Sequence, residues 1–267
     1  MSFPTPLIRR GGLWALGCLA ALALWWISAK TNLITPLVLS SPEDVAKELL
    51  HGPKTVGQRH VFEEVRGTMG RMLAGWAATI GIGLVLGVLL GAMRKVETLA
   101  QGPLEFLRAV PPVLLFPLLA VVLDYRDAAY VWTIIVGCTP IMVLVVARGT
   151  AGGSRIRRAV LIAYKVRVWR RVLAALLEVG PYLFLGARLT ASTALIIAVV
   201  SEMVIPTRDG IGIGSSVRDA GTAYDAPRVI AGIMVVGAVG VALNLVLNGL
   251  ERVAGGTRSG ADMIREA

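Results

Sequence analysis

The stretch GRMLAGWAATIGIGLVLGVLLGAM (Gly70–Met93) decides the fold class of this 267-residue chain. From Met72 to Met93 it carries no charged residue, and it is as long as the roughly 20 residues that a helix needs to cross a ~30 Å hydrocarbon core. Small residues recur at every fourth position, which gives one face of the helix a smooth surface for close packing. We expect this face to pack within the chain, with a contact to a second subunit as the alternative. It comprises Gly75, Thr79, Gly83, Gly87 and Gly91.

The composition extends this interpretation to the whole chain. Hydrophobic residues make up 55% of it and the mean hydropathy is +0.71, whereas soluble domains have about 45–50% apolar residues. Runs of about 20 apolar residues indicate membrane helices, because a membrane β-barrel would show shorter alternating segments. We therefore predict an all-α polytopic membrane protein with six transmembrane helices. The predicted spans cover residues 11–29, 72–93, 106–123, 128–147, 182–205 and 229–250.

The net charge of +10 is explained by the membrane rather than by nucleic acid, which we do not expect as a partner. Basic residues precede span one and follow spans two, four and six, so these loops and both termini are predicted to be cytoplasmic. Arg9-Arg10 before an apolar run also fits a twin-arginine secretion signal. No small-x-small cleavage site follows that run, so an uncleaved first span is favoured.

Five residues within the predicted spans are candidates for a translocation path or gate. Charged groups at membrane depth are costly and often functional. Prolines in a span remove backbone donors, and broken helices are tolerated where protein or water satisfies the freed groups. The alternatives are arginine side chains that reach the interface, a glutamate that faces the protein as a structural acceptor, and a kink that only fits its neighbours. The candidates are Arg108, Pro111, Pro112, Arg188 and Glu202.

The stretch RIRRAVLIAYKVRVWRR (Arg155–Arg171) carries seven basic residues and no acidic one between two apolar segments. Its apolar side chains could anchor it in the groove of a partner protein. A cytoplasmic loop that rests on anionic lipid is the alternative, and composition does not separate the two.

The sequence lacks the motifs of an enzyme. It has no glycine-rich loop that ends in Gly-Lys-Ser/Thr, and no nucleophile, base and orienting group in a recognisable order. Two histidines and two cysteines make a metal site improbable. We expect no catalytic residues, no metal and no cofactor on this chain.

Five segments together resemble the permease subunits of bacterial ABC importers of the nitrate, sulfonate and taurine type, over about Leu24–Val253. The opening stretch is one of them. The others are LVLSSPEDV (37–45), LEFLRAVPPVLLFPLL (104–119), YLFLGARLTASTALIIAVVSEM (182–203) and AYDAPRVIAGIMVVGAVGVALNLVLNGLERV (223–253).

The resemblance implies the permease fold of a type I ABC importer in the bacterial plasma (inner) membrane. The implied partners are two ATP-binding subunits, a second permease chain (identical or different) and an extracytoplasmic substrate-binding protein, with lipid around the helices. The implied substrate is a small solute such as a sulfonate, taurine or a nitrate-like anion. The implied divisions are a first transmembrane helix (1–30), an outer loop with a short amphipathic helix (31–68), a permease core (69–253) and a cytoplasmic tail (254–267).

In such permeases a cytoplasmic loop couples to the ATPase, and the basic stretch occupies that place here, within about 148–178. The implied coupling residues are Arg157, Arg158, Leu161, Tyr164, Val168, Trp169, Arg170 and Arg171. The loop lacks the family's usual Glu-Ala-Ala and its following glycine, and the Gly-x-Gly usual after span three is replaced by LDYRDAA (123–129). Two other functions therefore stay open: a membrane scaffold that transports nothing, and a channel or secondary transporter that works alone.

Overall fold

The computed structural model describes residues 7–31, 35, 39–51, 60–92, 94–124, 127–152, 163–207 and 210–254. The regular structure within these ranges is helical, as the apolar runs predict. Its α-helices are α1 (Leu7–Lys30), α2 (Pro42–His51), α3 (Val61–Ala92), α4 (Arg94–Ala109), α5 (Phe116–Val122), α6 (Asp127–Gly152), α7 (Val168–Val204), α8 (Ile213–Thr222) and α9 (Ala226–Ala254). A 3₁₀ helix (Pro112–Leu115) stands between α4 and α5.

Four of these helices are long and apolar enough to cross a membrane: α3, α6, α7 and α9. A fifth candidate is a pair, 98–109 and 112–122, whose two parts are bent by 81°. The apolar part of α1 within the described residues, Leu19–Lys30, is shorter than a full span. The structure thus supports four or five spans by length and composition, and the sixth stays a prediction.

The bend follows from its two prolines. Pro111 and Pro112 have no backbone N–H, so the helical ladder cannot continue through them. The N–H of Val110 still bonds the carbonyl of Phe106, at 3.2 Å, and that of Leu114 bonds the carbonyl of Pro111, at 3.0 Å. The helix before the bend starts at Arg94 rather than at the predicted residue 106, because a polar amphipathic segment precedes the apolar one.

Helices α3 and α6 run parallel, and the glycine face of α3 lies against α6. An added Cβ at Gly83 would come within 2.3 Å of the Met142 side chain, and one at Gly91 within 2.5 Å of the Ala147 carbonyl oxygen. The residue numbers of the contacts on α6 rise together with those of the glycines on α3, so the two helices point the same way. The contacts are Gly75 with Ile134, Gly83 with Met142, Gly87 with Val146, and Gly91 with Ala147 and Thr150.

Helices α6 and α7 run antiparallel and form the core together with part of α9. As residue numbers rise along α6, those of the contacts on α7 fall: Gly137 lies against Ile197, Met142 against Gly186, and Gly149 against Tyr182. The buried cluster between them is formed by small and medium apolar side chains. From these two helices it contains Ile134, Cys138, Ala191, Ala194, Leu195, Ile197 and Ala198, and it is completed by Met72 of α3 and Leu247 of α9.

The bent segment returns along α6 from one end to the other. Leu104 of α4 lines a crevice with Leu144, Pro112 lies against Gly137, and the rings of Phe116 and Tyr130 are 4.7 Å apart. Because α3 and α6 are parallel, the chain between them has to come back to the end at which α3 began. The pair bent by 81° therefore behaves as one broken crossing, which gives five candidate spans within the described residues.

The chain divides into two compact units, 1–63 with 216–235 and 64–215 with 236–267. In the first unit, the Ser41 hydroxyl accepts a hydrogen bond from the Asp44 backbone N–H at 3.2 Å, which caps α2. The Trp26 indole N–H donates to the Glu43 carboxylate at 2.9 Å, and this bond is the main reason that the pKa of Glu43 lies below its usual value. Arg228 and Glu48 form a buried ion pair in the same unit.

Candidate functional site

The candidate site is a buried polar cluster around Glu202, near the C-terminal end of α7. The side chain of Glu202 is 0% exposed. This burial within protein is expected, because a carboxylate that faced lipid would be costly. Its Oε1 accepts hydrogen bonds from Arg71 of α3, from Nη2 at 2.6 Å and from Nε at 3.2 Å. Its Oε2 accepts from the Thr68 hydroxyl at 2.8 Å and from the Gly214 backbone N–H at 3.0 Å. Both oxygens are thus satisfied by protein donors.

Arg71 connects this carboxylate to two further elements. Its Nη2 also donates to the Ile211 carbonyl at 2.7 Å, and its Nη1 donates to Asp127, the first residue of α6, at 3.4 Å. The guanidinium lies 5.3 Å from the ring centroid of Tyr130, a distance at which cation–π attraction operates. One arginine thereby joins α3, α6, α7 and the segment that leads into α8.

The segment between α7 and α8 approaches the carboxylate closely because it has glycines at the contact points. An added Cβ at Gly212 would stand 2.7 Å from Glu202 Oε2, and one at Gly214 would stand 2.2 Å from the Val199 carbonyl oxygen. Thr68 receives the Ile213 N–H at 3.0 Å and so holds the start of α8. The glycines of GIGIG (210–214) therefore serve close backbone packing at two of their three positions.

The geometry of the cluster suits mechanical coupling better than ligand binding. A buried carboxylate with four donors has little acceptor capacity left, and its arginine is 9% exposed. Removing one partner from such a pair leaves an uncompensated charge in the interior, so the elements that it joins are held together. The cluster can thus make the N-terminal half of α3, the start of α6 and the end of α7 move as one body.

The other residues predicted for a path or gate lie apart from this cluster. Arg188, fourteen positions before Glu202 on α7, forms an ion pair with Glu251 of α9, and both side chains are partly exposed. Arg108 is exposed on α4. Pro111 is exposed at the bend, whereas Pro112 is partly buried against Gly137. The structure does not bring these residues together, and their role in a path stays a prediction.

The predicted coupling residues fall partly outside the described residues. Arg157, Arg158 and Leu161 lie there entirely. Val168, Trp169 and Arg171 belong to the first turn of α7, with side chains that are not described. Tyr164 is 80% exposed and Arg170 is exposed as well, so two members of the set stand at the surface.

Arg71 was not among the predicted site residues, because the second span was predicted to start one residue later, at Met72. Helix α3 starts at Val61 instead, eleven residues earlier, and carries Arg71 within the helix. The need for a charge partner could have identified it. A buried glutamate in one apolar helix requires a cation from a neighbouring element, and Arg71 stands directly before another apolar run.

Comparisons with known proteins agree with the fold. No family model matches the chain. The taurine transport system permease protein TauC of Escherichia coli (strain K12) is 27% identical, covering 92% of this chain and 90% of that protein. The bicarbonate transport system permease protein CmpB of Synechococcus elongatus is 26% identical, covering 88% and 86%. The putative aliphatic sulfonates transport permease protein SsuC of Bacillus subtilis is 23% identical, covering 86% and 82%.

A solved structure gives the same result for the fold. A chain of the inward-facing MetNI methionine ABC transporter superimposes with a TM-score of 0.57 at 17% identity, covering 74% of this chain and 94% of that chain. The resemblance drawn from the five sequence segments is thereby confirmed: the relatives of this chain are permeases of bacterial ABC transporters, and its fold is that of an ABC importer permease.

Proposed function

We propose that this chain is the permease subunit of an ATP-driven importer and forms the translocation path for a small anion. One observation carries the proposal: relatives named as transport permeases align over about nine-tenths of both chains. The relatives differ in what their names say they carry, but taurine, bicarbonate and aliphatic sulfonates share a compact oxyanion group. The proposed substrate class is therefore a small oxyanion, with sulfonates first.

The orientation that we propose places both termini in the cytoplasm of a bacterium, with the chain in the inner membrane. The alternating directions of α3, the bent segment, α6 and α7 support it, since each crossing reverses the last. The end of the bundle where α3 and α6 finish carries Arg94 and Lys95 and leads into the basic stretch. That end is the cytoplasmic one by the distribution of positive charge.

Coupling to a separate ATPase is assigned to residues 155–171. This stretch joins the end of α6 to the start of α7, so a force applied there acts on the core pair of helices. The buried cluster of Arg71 and Glu202 lies at the other end of α7. A rigid α7 would carry movement from the ATPase side to the opposite side, where the cluster passes it to α3 and α6.

The test is reconstitution of the chain with its ATPase and binding protein in proteoliposomes, with uptake of radiolabelled taurine, sulfate and nitrate measured with and without ATP. Uptake of one of these anions that needs both ATP and the binding protein supports the proposal. Uptake without the ATPase would instead establish a channel or secondary transporter. ATPase association without uptake of any solute would establish a scaffold.

A further inference from the structure

A crevice lies between α3, α4 and α6, at the end of the bundle where α3 and α6 finish. It is a shallow, partly open crevice with a cavity volume of about 40 Å³. Four of its six lining residues are apolar and two are polar. The lining residues are Leu90, Gln101, Leu104, Leu144, Ala147 and Arg148.

Arg148 gives the crevice its charge. It is exposed near the end of α6, and the structure shows no hydrogen bond or ion pair for it within the described ranges. On α4, the Glu105 carboxylate accepts a hydrogen bond from the Gln101 side-chain amide at 3.2 Å. A guanidinium that is free to bind an anion thus stands beside apolar walls, at the end of helices that cross the membrane.

Free small anions do not require apolar walls, and a purely apolar ligand does not require an arginine. A phospholipid with an anionic headgroup satisfies both parts, because its phosphate pairs with the guanidinium while an acyl chain lies along the leucines. We propose that this crevice binds one anionic phospholipid, with Arg148 on the phosphate and Leu90, Leu104 and Leu144 against the acyl chain. The inference needs only the membrane location and does not depend on the proposed import function.

Native mass spectrometry of the full-length chain in detergent tests the proposal, with phosphatidylglycerol and phosphatidylcholine added as probes. We expect one phosphatidylglycerol to stay bound in preference to phosphatidylcholine. Arg148→Gln should weaken phosphatidylglycerol binding roughly fivefold, the effect of one basic residue at an anionic headgroup. Leu104→Trp, which fills the crevice, should weaken binding of both lipids.

The matched control is Arg252→Gln, which removes an exposed arginine in the last turn of α9. It should leave the preference for phosphatidylglycerol unchanged. Equal binding by the wild type and Arg148→Gln would overturn the proposal. So would displacement of the lipid by millimolar inorganic phosphate, which would indicate a site for soluble anions. Loss of a dimer rather than of lipid in Leu104→Trp would also overturn it, since a second copy would then be the occupant.

Discussion

Arg71 and Glu202 stand 131 residues apart in the sequence and meet with Nη2 and Oε1 2.6 Å apart. The pair joins the N-terminal half of α3 to the C-terminal end of α7, and both side chains are buried. Two buried charges can be stable only as a pair with further hydrogen bonds, which Thr68 and Gly214 supply. The position of each helix end therefore depends on the other.

Glu202→Ala should destabilise the protein by about 3–5 kcal/mol, because Arg71 would be left buried without its partner. Thermal unfolding in detergent, followed by circular dichroism, measures the effect. Glu202→Gln should lower the free energy of unfolding less, since the amide oxygen still accepts hydrogen bonds. It should reduce transport if the cluster passes movement between helices.

The control for this prediction is Glu251→Ala, which breaks the partly exposed pair with Arg188. Its cost should be about 1 kcal/mol or less, as for exposed pairs. Equal destabilisation by the two alanine variants would show that burial does not set the strength of the Glu202 pair. Normal transport by Glu202→Leu would remove any gating role for this residue.

Gly214→Ala should cost about 1–3 kcal/mol, because its Cβ would stand 2.2 Å from the Val199 carbonyl oxygen and backbone would have to shift. Gly221→Ala lies in the same helix, α8, and its Cβ would meet nothing within 4 Å. That variant should leave the free energy of unfolding unchanged or raise it slightly, because alanine has a higher helix propensity than glycine. If the unfolding curves of the two variants coincided, the close packing of this segment would be contradicted.

Gly91→Ala should loosen the pairing of α3 with α6, since the new Cβ would stand 2.5 Å from the Ala147 carbonyl oxygen. The matched variant is Gly81→Ala, on the same helix, where nothing lies within 4 Å. We expect a loss of about 1–3 kcal/mol for the first and no loss for the second, measured by unfolding in detergent. If only oligomeric state changed in Gly91→Ala, the glycine face would belong to a subunit contact.

Helical class and the approximate position of each apolar helix could be predicted from sequence, since length and hydropathy fix them. The ends of helices could not. Helix α7 continues back through Pro181 to Val168, whereas the predicted span began at Tyr182. A proline within a helix is tolerated where other groups satisfy the freed carbonyl, and the sequence does not show those groups.

The cluster was predictable only in part, for the same reason. Glu202 stood out because it is a charge inside an apolar run. Its partner Arg71 stood one residue outside a boundary that sequence patterns set only to within a few residues. The glycines Gly212 and Gly214 allow close packing against Glu202 and Val199, which only the tertiary structure shows.

Both termini should lie in the cytoplasm, because basic residues precede span one and follow spans two, four and six of the predicted set. A protease-cleavable tag at each end, tested in sealed vesicles of known orientation, measures this. Protection of both tags from external protease in right-side-out vesicles is the expected result. Cleavage of either tag there would overturn the six-span topology, and α1 would then be the first helix to reconsider, since Leu19–Lys30 is short for a full span.

Trp169→Ala should release the ATPase from the permease and abolish transport while the protein stays folded in the membrane. Large aromatic side chains dominate the energy of buried contacts, and the loss of one typically costs about 2 kcal/mol, a weakening of roughly thirtyfold. Charges at the rim of a contact mainly steer association, so Arg170→Gln should change binding less and serves as the matched control. Pull-down of the ATPase, with unfolding temperature measured in parallel, separates coupling from folding. Unchanged ATPase association in a variant that carries both Trp169→Ala and Tyr164→Ala would identify residues 155–171 as a basic loop at the lipid surface and would favour the scaffold function.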